Sequence, residues 1–440
     1  MKKIILTLAI GLLFFSCNKE LKPIELSSED YHYAVDKLTS VIVHDIFSPP
    51  VASRIYAYSN IAAFEVIANN NETYNTLNGQ VKDLSPVPSP TSDKVNIKVA
   101  AIVAYLEIGK DLIFSEDKII TYRDSLYTSW EQINKNEFKA SKEYGLLVAA
   151  HIKNWMDTDN YKETRTMPKF TVIAENVTRW QPTPPSYMDG IEPHWSKIRT
   201  FVIDSAEQFK PIPHPKYDMN KDSKFHEELM EVYELGGGVL AENRNPEHVE
   251  IAKFWDCNPY VSTTKGHLMF ATKKITPGGH WIGICKIASR KDNADFAKTV
   301  YAYTKTSIAL SDGFISCWDE KYASNLIRPE TLINNLLNEN WFPVLQTPPF
   351  PEYTSGHSVV SGAASVVLTQ IFGDNFSFDD DTELVYGLPV RSFESFYDAS
   401  SEAAISRLYG GIHYRAAIDN GLVQGKNIGN YVAENLQMTK

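Results

Sequence analysis

The amino-acid sequence predicts an all-α protein, helical bundles interrupted by one proline-rich irregular strap. Apolar residues recur three and four positions apart through most of the chain. The longest stretch that breaks this pattern carries Trp180-Gln-Pro182-Thr-Pro184-Pro185 and Pro211-Ile-Pro213-His214-Pro215, which forbid regular structure. The 440 residues suffice for two or three average domains, but with no internal repeat or low-complexity tract they read as one large helical domain over 27–440.

Ser27-Ser28-Glu29-Asp30 has the form of a helix start, and Ala34, Val35, Leu38, Val41 and Ile42 follow at helical spacing until Pro49-Pro50. A second helix is expected from Val51 to Ile67, closed by Asn69-Asn70-Asn71. Three more should run from about Thr91 to Gly109, Ser115 to Asn136 and Ser141 to Met156, completing an N-terminal lobe over 27–160. The strap occupies 161–222, and its aromatic residues suggest that it packs down on the surface. In the C-terminal bundle, 223–440, helical patterns cover Ser223 to Leu235, Asn245 to Trp255, about Thr264 to Lys273, Asp292 to about Leu326, and about Tyr414 to Asn435.

With 43% hydrophobic and 22% charged residues the composition is that of a soluble globular protein. A net charge of -11 and a pI near 5.5 argue against nucleic-acid binding, which needs a basic field. Residues 1–16 have the layout of a secretory signal: Lys2 and Lys3, then an apolar run from Ile4 to Phe15 too short to span a bilayer. The run ends in Phe14-Phe15-Ser16-Cys17, the form of a bacterial lipobox. Cys17 is therefore expected to be lipidated, with 17–26 as a tether, the protein exported and held in the bacterial envelope by that lipid alone. Cys257, Cys285 and Cys317 remain, an odd number without CxxC spacing, and are expected to be packed thiols. Nothing in the sequence specifies an oligomeric state.

The chemistry gathers in the last quarter. Lys321-Tyr-Ala-Ser-Asn-Leu-Ile-Arg328-Pro329 places two cations two helical turns apart, and the residue before a proline is pushed out of helical geometry, so the helix should stop near Ile327 and turn Arg328 inward. Thr354-Ser355-Gly356-His357 opens a helix whose free N–H groups and positive dipole suit an oxyanion; Ser355 adds a hydroxyl and Gly356 permits close backbone approach. His357 stands there as an acid–base group. In Ser406-Arg407-Leu-Tyr-Gly410-Gly411-Ile-His413 the glycines break the helix and let Arg407 and His413 face one point. Each piece alone fits a capped helix end or a buried structural residue. Jointly they describe a site for a tetrahedral oxyanion, whose charge must be met on several oxygens at once. His226, the run Gly236-Gly-Gly238 and the other histidines lack ligand or phosphate-loop spacing.

KxxxxxxRP, SGH and SRxxxxxH in this order and at these separations resemble the superfamily of vanadium-dependent haloperoxidases and type 2 phosphatidic acid phosphatases, and most nearly its bacterial vanadium iodoperoxidases. The stretches around Arg54 and Trp180 are similar to that branch as well. The resemblance implies vanadate as cofactor and a halide, preferentially iodide, oxidised by hydrogen peroxide to hypohalous acid. It implies His413 as the metal ligand, Lys321, Arg328, Arg407, Ser355 and the Gly356 N–H on the equatorial oxygens, and His357 as proton donor. Trp318, Tyr260 and Phe350 would line the halide pocket. The same shell serves a phosphatase acting on a phosphomonoester through a phosphohistidine at His413, or a non-catalytic oxyanion-binding lipoprotein.

Two departures stand out. Thr354 replaces the usual proline before SGH. Ala417 occupies the place of an aspartate four residues after the last histidine, and Asp419 lies about 240° around the helix from His413. Another side chain or a backbone carbonyl is left to orient the imidazole.

Overall fold

The computed structural model describes residues 22–238, 245–265, 268–271 and 273–440. The signal-like segment 1–16 and Cys17 lie outside them. The regular structure of these residues is almost entirely helical. None of its helices is long and apolar enough to cross a membrane.

Helix α1 (Ser28–His44) begins where Ser27 donates its N–H to Asp30 Oδ2 at 2.8 Å, one half of a capping box. Helix α2 (Pro49–Ala68) follows a Ser48 cap, with proline at its first turn where no N–H is needed. All its residues are buried, so α2 is the axle of the first lobe rather than an amphipathic surface helix. Helices α3 (Ile97–Asp111) and α4 (Glu116–Met156) pack against it. The sequence suggested two separate helices in place of α4. The chain instead bends at Asn134 (φ -152, ψ 90), whose side chain accepts the Glu137 N–H, so one residue caps the second half without a loop.

Residues 161–222 contain only the short α5 (Tyr161–Thr164) and a single 3-10 turn. The segment is tied down at defined points. Arg54 Nε meets Asp159 Oδ2 at 2.6 Å just before it, both groups buried. The fully buried Asp312 accepts the N–H groups of Phe201, Val202 and Ile203 at 2.7, 2.8 and 3.1 Å. The segment's own Trp180 and Trp195 are fully buried.

The second bundle comprises α6 (Lys224–Leu235), α7 (Pro246–Phe254), a two-stranded hairpin of β1 (Ser262–Lys265) and β2 (Leu268–Ala271), α8 (Pro277–Lys291), α9 (Phe296–Ser324), α10 (Pro329–Leu336), α11 (Gly356–Phe372), a short pair β3 (Phe378–Asp380) and β4 (Arg391–Phe393), α12 (Phe396–Tyr409) and α13 (Arg415–Asn435). The helix expected over 264–273 is thus the antiparallel hairpin, with Ser262 opposite Ala271. Val261, Thr263 and Thr264 favour strand, and Gly266 weakens a helix. Helix α8 was hidden behind Pro277-Gly278-Gly279, which resembles a turn; Thr276 caps it by accepting the Gly279 N–H at 3.1 Å. Helices α11 and α13 pack backbone to backbone: a Cβ on Gly425 would stand 2.0 Å from the Val359 carbonyl oxygen. The three cysteines are free and buried, as the sequence suggested.

Candidate active site

The first piece does not lie on one helix. α9 ends at Ser324 because Asn325 takes a left-handed conformation (φ 48), three residues before the end expected from Pro329. The strap then holds the extended chain: Trp180 N–H donates to Asn325 O at 3.0 Å and Ile327 N–H to Thr178 O at 3.1 Å. Arg328 (φ -76, ψ 148) keeps the extended geometry a following proline imposes. Lys321 and Arg328 therefore sit on different elements, yet they converge. Both cations stand over the Phe350 ring, 5.0 and 5.1 Å from its centre.

The second piece is the N-terminus of α11. Ser355 caps it by accepting the Ser358 N–H at 3.3 Å, which leaves its hydroxyl proton to donate. Its own N–H goes to the Ala417 carbonyl at 3.0 Å, so the residue in the aspartate's place anchors the turn through its backbone. A Cβ on Gly356 would meet nothing nearer than the Trp318 ring at 3.6 Å, so the bare backbone leaves open space there.

In the third piece Arg407 is clamped by Nε to Ser406 Oγ (2.9 Å) and by Nη2 to Trp255 O (2.6 Å) and Ala252 O (3.3 Å). Gly411 (φ +75) then reverses the chain, and a Cβ on it would lie 2.3 Å from Gly236 O. The turn delivers His413 beside Arg328, with Nη1 3.2 Å from His413 Nε2.

A residue the sequence reading missed orients that imidazole. Glu352 Oε1 lies 2.8 Å from His413 Nδ1 and also accepts the Tyr414 N–H at 2.9 Å. The tautomer follows from the partners. Arginine can only donate, so Nε2 presents its lone pair; Oε1 already accepts an amide proton, so Nδ1 carries the hydrogen. Glu352 is the only acidic residue between Glu339 and Asp374, set in the run Pro348-Pro-Phe-Pro-Glu352-Tyr, and that isolation was the available signal.

Lys321 was expected among the donors to the oxyanion. Its ammonium is directed to the carbonyls of Pro351 (3.1 Å), Glu352 (3.1 Å) and Thr354 (2.5 Å). It clamps the segment that carries Glu352 and Ser355. Tyr260 also departs from expectation. Its hydroxyl bonds Ser48, near Glu192 and Arg165, and it does not line the cavity.

Arg407, His357, His413 and Gly356 line a cavity of about 30 Å³ together with Phe314, Trp318 and Phe350. Burial, followed by repulsion from the cations, holds His413 well below the ordinary histidine range. Burial and then Arg407 do the same to His357. Both rings are neutral at physiological pH. Burial lowers Lys321 to about 7 and Arg328 and Arg407 to about 10, while it raises Glu352 to about 8 against the pull of Arg328 and Lys321.

Two buried arginines that stay charged, with Lys321 near its own titration and Glu352 the single acid among them, make an unbalanced set, because burying charge without a counter-charge is costly. Among the buried polar atoms without a partner are Arg328 Nη2 and His357 Nε2. The unmet Arg328 Nη2, excess positive charge, a helix N-terminus and the lone pair of His413 Nε2 fit a tetrahedral oxyanion that takes a ligand from histidine.

Comparison with known proteins agrees. A family model described as the VCPO second helical-bundle domain matches residues 302–439. No curated protein matches the chain. The crystal structure of the first bacterial vanadium-dependent iodoperoxidase superposes with a TM-score of 0.91 at 60% identity, over 95% of this chain and 98% of that one. Holo and apo bacterial vanadium-dependent chloroperoxidase structures superpose at 0.67 and 0.68 with 17% identity, over 89% of this chain and 93% and 94% of theirs, a likeness of fold. With its site residues assembled and a relative this similar along nearly its whole length, the chain belongs to the family of bacterial vanadium-dependent haloperoxidases.

Proposed function

We propose that this protein is a vanadate-dependent iodide peroxidase, with hydrogen peroxide as oxidant and hypoiodous acid as product. The observation that carries this reading is the His413–Glu352 pair beside buried, under-partnered arginines. Vanadate bound there acts as a Lewis acid that activates peroxide toward halide without itself changing oxidation state. His413 offers its Nε2 lone pair as the ligand, and Glu352 fixes that lone pair's direction through Nδ1. Arg328, Arg407, the Ser355 hydroxyl and the α11 N–H groups meet the negative oxygens. His357 borders the same cavity, with the Trp255 carbonyl bonded to its ring and Nε2 without a partner. As a neutral imidazole it can take a proton from incoming peroxide and return it to the departing oxygen.

The lining favours this reading over phosphomonoester hydrolysis. Phe314, Trp318 and Phe350 set apolar rings beside His357 and Arg407, surroundings that suit a small polarisable anion better than a strongly hydrated organic phosphate. Iodide is the halide named for the 60%-identical relative, and that likeness supports it here.

The protein, loaded with orthovanadate and dialysed free of excess, should oxidise iodide with peroxide, and His413→Ala should abolish both vanadate retention and turnover. Full activity in that variant, or aryl phosphate hydrolysis without iodide oxidation, would overturn the reading. The Lys2-Lys3 start, apolar run and Cys17 further support export and lipid anchoring; labelled palmitate should be incorporated by the native chain and not by Cys17→Ala.

A further inference from the structure

Behind the wall of the catalytic cavity lies a second cluster that the oxyanion chemistry does not use. Cys257 lines the cavity with part of its surface. Its sulfur lies 3.4 Å from His280 Nδ1 and 3.8 Å from Glu383 Oε1, and His280 Nδ1 lies 3.3 Å from the same Oε1. All three residues are buried. On its far side the His280 ring sends Nε2 to Asp380 Oδ2 at 2.8 Å. Asp380 is held in turn by the Thr382 N–H (3.0 Å) and hydroxyl (2.7 Å) on Oδ1. Trp255 stacks on the ring at 4.4 Å, so its plane is fixed.

From this geometry we infer a binding site for a zinc-class divalent ion, ligated by Cys257 Sγ, His280 Nδ1 and Glu383 Oε1. A tetrahedral ion with bonds of about 2.3 Å to sulfur and about 2.0–2.1 Å to nitrogen and oxygen puts such donors about 3.3–3.6 Å apart. The observed 3.4, 3.3 and 3.8 Å form that triangle with a few tenths of an ångström to take up. Asp380 completes the carboxylate–histidine arrangement that fixes a ligating imidazole and raises its basicity. The donor set of thiolate, imidazole and carboxylate is the one zinc takes, and magnesium or calcium would want more oxygen.

In the metal-free cluster the His280 ring lies between Asp380 and Glu383 beside the Cys257 sulfur. Binding needs Cys257 as thiolate and a free lone pair on His280 Nδ1, so protons leave as the ion enters. Water completes the fourth position. The loop carrying Asp380 and Glu383 continues into exposed Leu384 and Val385 and borders a surface cavity of about 400 Å³, which gives the ion a route in. A metal thiolate here fixes the sulfur that walls the catalytic cavity and ties the 380–386 loop to α8. The site is independent of vanadate.

The test uses the full chain, stripped with a chelator and titrated with Zn²⁺ alone and with Co²⁺ alone. One ion per chain is expected, with a sulfur-to-cobalt charge-transfer band in the near ultraviolet and proton release, read by calorimetry in buffers of different ionisation enthalpy. Cys257→Ser should abolish the band, and Asp380→Asn, which keeps all three ligands, should weaken Zn²⁺ about 10- to 100-fold in competition with a chromophoric chelator. Circular dichroism of each variant separates loss of the site from loss of the fold. Failure of the folded wild-type chain to bind either ion, or an undiminished cobalt band in Cys257→Ser, would overturn the assignment.

Discussion

Glu352→Gln removes the carboxylate that fixes His413 while keeping its shape. The glutamine carbonyl can still accept from His413 Nδ1 and Tyr414 N–H where Oε1 does. What it cannot do is strengthen the basicity of the ring with charge, and its amide lands where Oε2 has no partner. Loss of such an outer carboxylate behind a ligating histidine costs about 10- to 100-fold in affinity, which is about 1.4–2.8 kcal/mol. Glu352→Ala goes further. It strands two buried donors, at about 1–3 kcal/mol each, and frees the imidazole to take the other tautomer, so its loss should exceed that of the glutamine variant. The assay is iodide oxidation followed by triiodide absorbance during titration with orthovanadate, which reports affinity and saturated rate separately. Glu352→Gln should shift the titration and leave much of the saturated rate. Wild-type vanadate affinity in both variants would refute the assignment of Glu352 as the residue that orients His413.

Two further expectations follow from buried groups. Arg328 spends Nε and Nη1 on Phe350 O, Ile412 O and His413, leaving Nη2 unmet; Arg328→Lys cannot reproduce that fork and should lower saturated turnover about 10²- to 10³-fold, so near-native turnover would remove Nη2 from the anion shell. His32, enclosed beside the Tyr303 hydroxyl, is lowered to about 4 by burial; above pH 6.5 both folded and unfolded chains hold it neutral, and as pH falls toward 4 the unfolded chain alone gains the proton, costing about 3 kcal/mol. Urea unfolding at pH 7.5 and 4.5 should therefore show wild type losing about 2–3 kcal/mol more than His32→Gln, and parallel pH dependence in the two proteins would contradict it.

The sequence made the oxyanion site legible because its donors come from short, local devices: a cap at Ser355, a pre-proline arginine, a glycine reversal after Arg407. Each is fixed by neighbours within a few residues. What it concealed depended on distant partners. Asn325 could end α9 early only because the strap takes up its carbonyl through Trp180 N–H, a contact across the chain. The clamp on Lys321 was hidden because three carbonyls of the 351–354 segment fold back over it, which the spacing to Arg328 could not reveal. Glu352 was invisible for the same reason: its partner lies 61 positions away and its own run looks like a proline-rich loop. The 264–273 hairpin was a local error of another kind, in which periodicity over a short apolar run failed to separate helix from strand.

The arrangement of charges explains why the site needs so rigid a frame. An arginine pair and a lysine buried without full compensation repel one another and are costly to desolvate, so an unsupported loop would swing them to solvent. Each is prevented from doing so by a different carbonyl clamp: Trp255 and Ala252 on Arg407, Phe350 and Ile412 on Arg328, and the 351–354 segment on Lys321. Neutral carbonyls fix the position of a cation without cancelling its charge, as a carboxylate would. The single carboxylate in the group, Glu352, is turned toward His413 and not toward the arginines. The positive field therefore survives for a ligand, and the anion that binds there relieves an electrostatic cost already present in the fold.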